Sequence, residues 1–336
     1  MTYFFSLLVV KSTSAERKIM SFNIIGTGSY LPPQIVTNDD LAKTLDTSDE
    51  WITQRVGIST RHISVDECAA DMGYQAALKA LEMAKTQPDE IDLIIAASIT
   101  GDNICPTVAG TIQKMLGSNA ISFDINSACS GFLFALDTAA GFFERGTVKK
   151  ALVIGSERMS KILDWNDRST CVIFGDGAGA VVLEVGDGYI ASKLSTKGDD
   201  DVIKIPTGRN NSPFYKKTMD EGIVFMDGQE TFKFAVNTIT REISDIANEN
   251  NISLNDIKYI VPHQANIRII QYASKRLNIP MEKFSVNIER CGNTSAASIP
   301  IALDELCRAK DLQKGSLIVF SAFGGGLSTA TTLIKW

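Results

Sequence analysis

Short apolar runs alternate with longer segments whose apolar positions recur at helical spacing, which is the pattern of an α/β chain. Ser21–Gly26 alternates as a first strand would, and Leu93–Ala97 reads as a buried strand. A helix is predicted from Ala69 to Lys85, with Ala76, Ala77, Ala80, Leu81 and Ala84 on one side. Ile121–Ile125 is the next strand, feeding an apolar helical stretch through Cys129–Leu136, and Ala151–Gly155 follows as a third strand. A helix apolar nearly all round belongs in an interior.

The same order returns in the second half at Lys258–Val261, Phe284–Asn287 and Ser316–Phe320. Tyr259 follows Leu93 by 166 residues, Val286 follows Phe123 by 163, and Leu317 follows Leu152 by 165. Such a nearly constant offset predicts two similar halves facing one another, not a solenoid, which needs three or more units. The expected halves are 20–195, carrying a cysteine at a strand end, and 220–336, carrying a histidine and an asparagine at strand ends. The final strands, Ala180–Leu183 and Thr331–Ile334, break this register by an extra excursion of about 15 residues near Ser156–Phe174. Excursions of this kind often carry part of a site.

Composition narrows the function classes. With 44% hydrophobic and 21% charged residues in 336, the chain can bury a large core, which excludes disorder and small disulfide scaffolds. Lys and Arg number 33 against 39 Asp and Glu, so the net charge of -6 argues against nucleic acid as partner. Six scattered cysteines without a C-x-x-C pair, and only His62 and His263, give no zinc-ligand spacing and point to the reducing cytoplasm. The apolar run Tyr3–Val10 lacks a basic flank and is too short to span a bilayer, so residues 1–19 are set aside as an extension before an expected start at Met20.

Four segments stand where strands should end, the usual place for α/β ligand sites. They are Asn126–Gly131, Val261–Asn266, Cys291–Ala296 and Phe323–Gly326. Cys129, at the start of a buried helix, would feel the positive end of the helix dipole, which lowers a thiol pKa and favours a nucleophile. The other five cysteines read as packing residues. His263 by itself could equally be a core histidine, Asn293 a cap, and the three glycines a tight turn. Cysteine, then histidine, then asparagine is also the order in papain-like proteases, but Ser-Ala-Cys-Ser-Gly-Phe is not their nucleophile context. Acyl transfer through a thioester is the chemistry left standing.

Together these stretches resemble the β-ketoacyl-acyl carrier protein synthase III enzymes of the thiolase superfamily. The resemblance rests on Asp49–Ile58 with Arg61–Ile63, the Cys129 segment, Phe174–Ala180, Val261–Asn266, Gly292–Pro300 and the terminal glycines, in family order from about Phe22 to the carboxyl end. It implies a thiolase-like α/β fold of five layers, αβαβα, from two duplicated halves, and a homodimer. It implies that Cys129 takes an acyl group from acyl-CoA, with the N–H groups of Cys129 and Gly325 as oxyanion hole. Malonyl-acyl carrier protein would then lose carbon dioxide, its enolate held by His263 and Asn293, and attack the acyl-Cys129 thioester to initiate fatty acid synthesis. No metal or redox cofactor is implied, and no membrane.

The resemblance also assigns Trp51, Arg55 and Arg168 to the CoA nucleotide, and Asn266, Gly228 and Phe232 to the pantetheine channel. Lys233 matches a basic family position, and Arg268, Lys275 and Arg276 share one face of the helix after His263, a basic face for an acidic carrier protein. Cys105 stands where an aromatic is common, bordering the acyl pocket across the dimer interface, and its smaller side chain would admit a longer or branched primer. Cys291 likewise replaces an aromatic, and His62 is assigned to structure. Two rivals are a specialised synthase or acyltransferase loading an unusual starter for secondary metabolism, and a catalytically silent binding protein of the same fold.

Overall fold

The apolar runs form two central sheets in a computed structural model that describes residues 21–208, 212–215, 221–309 and 312–336. The extension 1–19 lies outside the described residues. Strands β1 (Ser21–Tyr30), β2 (Leu93–Ala97), β3 (Ile121–Ile125), β4 (Lys150–Arg158) and β5 (Asp176–Gly186) make one sheet in the order β1-β5-β4-β2-β3. Strands β6 (Tyr189–Asp199), β7 (Ile257–Pro262), β8 (Leu317–Gly324) and β9 (Gly326–Lys335) make the other, ordered β7-β8-β9-β6. In each sheet a parallel core (β2 with β3 and β4; β7 with β8) continues into two antiparallel strands. That shared order is the structural form of the repeat.

The principal helices are α1 (Asp49–Val56), α2 (Ala69–Ala84), α3 (Val108–Leu116), α4 (Gly131–Glu144), α5 (Gly228–Glu249), α6 (Ile267–Leu277) and α7 (Ser298–Ala309). Alternate side chains of β2 and β4 divide between two cores. Ile94, Ala96, Leu152 and Ile154 pack against Ala76, Ala77 and Ala80 of α2 and Ile112 of α3. Leu93, Ile95, Ala151 and Val153 face Leu133, Leu136 and Ala140 of α4, which in turn meet Leu303 of α7 and Ile318 and Phe320 of the second sheet. A third core joins Ile239 and Ile243 of α5 and Ile270 of α6 to Ile260 and Val319. The layers therefore run helix, sheet, helix, sheet, helix, as the resemblance implied.

The central layer explains why α4 is apolar on every side: it is covered by both sheets. Leu136 is fully buried there, so Leu136→Ala should destabilise the chain by about 2–5 kcal/mol, read as a lowered urea midpoint with an unchanged slope.

Two expectations are corrected. Phe284–Asn287 is not a strand; after a single bridge from Ile260 to Phe284 the pairing stops. The buried side chain of Gln264 interrupts it, since its oxygen accepts from the N–H groups of Asn287 (3.1 Å) and Ile288 (3.2 Å), while its nitrogen donates to the Ser285 carbonyl (3.1 Å). The ladder donors and acceptors are thus already used. The chain also enters the second sheet at Tyr189, earlier than residue 195, because β6 pairs with β9 from Tyr189 onward.

Candidate functional site

Both sheets deliver their strand ends to one cavity of about 740 Å³, which also receives the first-half excursion. Cys129, His263, Asn293, Gly325, Trp51, Arg55, Arg168, Gly228, Phe232, Lys233, Asn266 and Arg268 all line it. The remaining wall is largely apolar, from residues such as Ile99, Val172, Ile205, Val224 and Phe323. Cys129 and His263, 134 residues apart in sequence, thus share one surface.

Cys129 sits in a single 3-10 turn, Ala128–Ser130, immediately before α4. Ala128 holds φ at +46°, a costly left-handed conformation for a residue with a Cβ, of the kind found at functional sites. The terminal glycines close over this turn: a Cβ on Gly324 would lie 2.7 Å from the Cys129 nitrogen. Only glycine permits that approach. Burial pushes the Cys129 thiol up to about 12, with the Glu157 charge pushing the same way and a Ser295 hydrogen bond opposing them. The expected lowering by the helix end is therefore overturned. Desolvating a full thiolate charge outweighs the partial charge of the helix terminus.

His263 follows β7, its N–H donating to the Ser321 carbonyl at 2.8 Å and its ring edge-on to Phe323 at 5.4 Å. It is only 2% exposed, and burial lowers its pKa to about 3, so the imidazole is neutral. Nδ1 lies 2.7 Å from the Ser298 hydroxyl, which also accepts a longer bond from the Gln264 N–H at 3.5 Å. A hydroxyl proton given to Nδ1 selects the tautomer with N–H at Nε2, a donor.

Asn293 is held between the halves. Its N–H donates to the Ile173 carbonyl (2.9 Å), its own carbonyl accepts from Gly175 (3.0 Å), and its side-chain oxygen accepts from the Ser295 N–H (2.8 Å). With that oxygen engaged, the amide nitrogen is the group left to donate.

Farther along the cavity, the guanidinium carbons of Arg55 and Arg168 lie 4.4 Å and 5.2 Å from the Trp51 ring centre. Arg168 is also tied to the Asp46 carboxylate at 2.9 Å. Asn266 uses both ends of its amide, accepting from the Arg268 N–H (2.9 Å) and donating to the Arg55 carbonyl (3.0 Å). Arg268 lies over the Phe232 ring at 5.6 Å, and Lys233 pairs with Glu230 at 2.7 Å. Gly228 opens α5, with no atom near the place of a Cβ.

Three expected residues are not on this wall. Lys275 and Arg276 are exposed at the far end of α6 from Asn266, and Cys105 is exposed on the loop before α3. His62 receives or donates one bond with the Pro32 carbonyl (2.6 Å), as befits a structural residue. Sequence reading missed Glu157, Ser295 and Ser298, all buried beside the site. Ser295 and Ser298 stand inside the Gly292–Pro300 segment, and Glu157 two residues beyond a recognised strand. Among the described residues no cluster of His, Cys, Asp and Glu could hold a metal, and no helix is long and apolar enough to cross a membrane.

Family models for 3-oxoacyl-[acyl-carrier-protein] synthase III match residues 123–198, and for its C-terminal part residues 247–336. The β-ketoacyl-[acyl-carrier-protein] synthase III of Clostridium acetobutylicum is 47% identical over 321 residues, covering 94% of this chain and 99% of that one. The crystal structure of 3-oxoacyl-[acyl-carrier-protein] synthase III from Aquifex aeolicus superposes with a TM-score of 0.87 at 42% identity, covering 94% of this chain and 100% of that one. The priming β-ketosynthase of the R1128 polyketide pathway gives 0.88 at 33% identity, covering 94% and 96%. With near-complete coverage at this identity, the chain belongs to the β-ketoacyl-acyl carrier protein synthase III family of condensing enzymes.

Proposed function

We propose that this condensing enzyme joins an acyl-CoA primer to malonyl-acyl carrier protein, with loss of carbon dioxide, through an acyl-Cys129 intermediate. The observation that carries the reading is the convergence of Cys129, two neutral hydrogen-bond donors and the Gly324–Gly325 backbone on one largely apolar cavity. Cys129 sulfur attacks the primer thioester carbonyl, and CoA leaves with the thiol proton. The tetrahedral oxygen is stabilised by the N–H groups of Cys129 and Gly325. In the second stage His263 Nε2 and Asn293 Nδ2 donate to the malonyl thioester oxygen, where negative charge collects as carbon dioxide departs. The resulting carbanion attacks the acyl-Cys129 carbonyl, leaving a 3-oxoacyl-acyl carrier protein and expelling the Cys129 thiolate, which takes one proton from solvent to regenerate the thiol. Two neutral donors suit this step because a cation would also stabilise the ground-state carboxylate.

The division between a first half bearing the nucleophile and a second half bearing the enolate donors follows from the duplicated sheets. Trp51, Arg55 and Arg168 suit the adenine and phosphates of CoA, through stacking and guanidinium pairing. Trp51→Ala should raise KM for acyl-CoA roughly 5- to 30-fold with kcat little changed, as expected for loss of about 1–2 kcal/mol of uniform binding. Asn266, Gly228 and Phe232 line the expected pantetheine path. Arg268 and Lys233 at the cavity, with Lys275 and Arg276 farther along α6, suit an acidic carrier protein. Cys105, exposed on the loop before α3 and off the cavity wall, would border an acyl pocket from a second copy of the chain in a homodimer.

Purified protein should become heavier by one acyl group on incubation with acyl-CoA and then release 3-oxoacyl-acyl carrier protein on addition of malonyl-acyl carrier protein. A panel of straight and branched primers separates fatty acid initiation from starter loading of the kind named by the R1128 relative. Acylation without condensation would favour a specialised acyltransferase. No acylation with any primer would favour a silent binding protein.

A further inference from the structure

The proposed mechanism leaves the thiol proton of Cys129 without an acceptor in the protein. His263 is a poor one, because burial holds its pKa near 3. A second acid-base group near Cys129 is Glu157, at the end of β4 and fully buried, whose charge acts on the thiol.

Its two oxygens are treated differently. Oε2 accepts from the hydroxyls of Ser98 (3.3 Å) and Thr100 and from the Ile99 N–H (3.1 Å), whereas Oε1 has one partner, the Ser295 hydroxyl at 3.0 Å. The turn that carries Ser295 packs against the Cys129 turn, close enough for the hydroxyl to act on the thiol; with its proton given to Glu157, the Ser295 oxygen is the atom left to receive the thiol proton. Ser295 holds φ at +50°, and the turn that carries it is pressed onto β4 where Gly155 leaves room: a Cβ there would lie 2.5 Å from the Ala296 carbonyl oxygen. The backbone is thus strained and closely packed to put one hydroxyl between a thiol and a carboxylate.

We propose that Ser295 and Glu157 form a proton path that takes the Cys129 proton to Glu157 Oε1 during acylation. As sulfur bonds to the acyl carbon, its proton passes to Ser295 Oγ while the Ser295 proton passes to Glu157 Oε1. When the thioester C–S bond breaks, the proton returns through Ser295 to the departing CoA sulfur. Cys–SH and acyl-CoA become acyl-Cys and CoA–SH, with nothing else consumed. Shifting the proton within the cluster keeps its buried charge at one, whereas ionising the thiol to solvent would place two negative charges together.

Burial raises the Glu157 carboxyl to about 7, in spite of its hydrogen bonds. It is therefore able both to take and to return a proton near neutrality. On the loop after β2, Asp102 is paired with Arg158 (2.9 Å) and Lys161 (3.6 Å), and Lys161 also donates to the Thr100 carbonyl (3.0 Å). Asp176 of β5 is satisfied by Ser160 and the Ser64 N–H. Cys129 is the titratable partner that Glu157 meets through Ser295.

The inference rests on Cys129 as nucleophile. Single-turnover acylation by acetyl-CoA, followed by intact-protein mass across pH 5.5–9, should show in the wild type a rate that falls below an apparent pKa of about 7. Glu157→Gln and Ser295→Ala should each lose that limb and acylate roughly 10²-fold more slowly at pH 7.5. Once loaded by long incubation, both should condense with malonyl-acyl carrier protein within about threefold of wild type, a split that a general packing defect would not produce. Retention of the limb, unchanged acylation in either folded variant, or equal loss in both stages would overturn the proton path. Should Glu157→Gln fail to fold, Ser295→Ala decides, since it leaves the Oε2 bonds intact. Wild-type protein that gains no acyl mass would instead overturn the proposed function itself.

Discussion

Cys129→Ala is expected to abolish acyl transfer from acyl-CoA to the protein and to lower condensation on the order of 10⁴-fold or more. The methyl side chain can form no thioester, and no second thiol lines the cavity. Cys171 and Cys291 are buried, with thiols pushed up to about 11 and about 12, so neither can substitute. The fold should survive, because Cys129 is half-buried on a cavity wall and alanine fits the same turn. Mass spectrometry of the intact variant after exposure to acyl-CoA reads the loss directly. Decarboxylation of malonyl-acyl carrier protein should persist, since its two donors are untouched. An alanine variant that still gains the acyl mass would remove Cys129 from the role of nucleophile.

The second large effect belongs to the donor pair. His263→Ala and Asn293→Ala should each lower condensation roughly 10²- to 10³-fold while acylation stays within about tenfold, because their hydrogen bonds matter only when the enolate forms. Separate single-turnover measurements of the two stages test this. The double variant should fall short of the product of the single losses, since both donors serve one oxygen. The pH behaviour follows from burial: a histidine whose pKa is lowered to about 3 gains a proton only below that value. His263 therefore contributes no acid limb to condensation near neutrality. An imidazolium titration of His263 near its ordinary value, seen by NMR, would contradict the buried, neutral donor.

The family resemblance and the strand-end logic brought Cys129, His263, Asn293 and Gly325 into view from sequence, because chain order and motif spacing are local properties. The apolar stretch after Cys129 likewise announced its own burial, and the near-constant offset announced the repeated sheets. Phe284–Asn287 misled because its composition suits a strand, while its pairing is decided by Gln264, about 20 residues away in sequence. Glu157 was invisible for the same reason. A glutamate ending a strand is ordinarily solvated, and nothing nearby in sequence says that Ser98, Thr100 and Ser295 will enclose it.

The direction of the thiol pKa marks the boundary between the two kinds of information. From sequence, a cysteine at a helix start is lowered by the dipole, a term that depends on a few neighbouring residues. Its desolvation and the approach of Glu157 depend on which distant segments close over it, and those terms win. The sequence by itself determined the fold class, the duplicated order and the candidates for the reacting groups, since periodicity and motif spacing are written along the chain. Tertiary structure alone decided the burial of Cys129, His263 and Glu157 and the hydrogen-bond partners they meet, since solvation and hydrogen bonding are fixed by residues that come together only when the two halves fold.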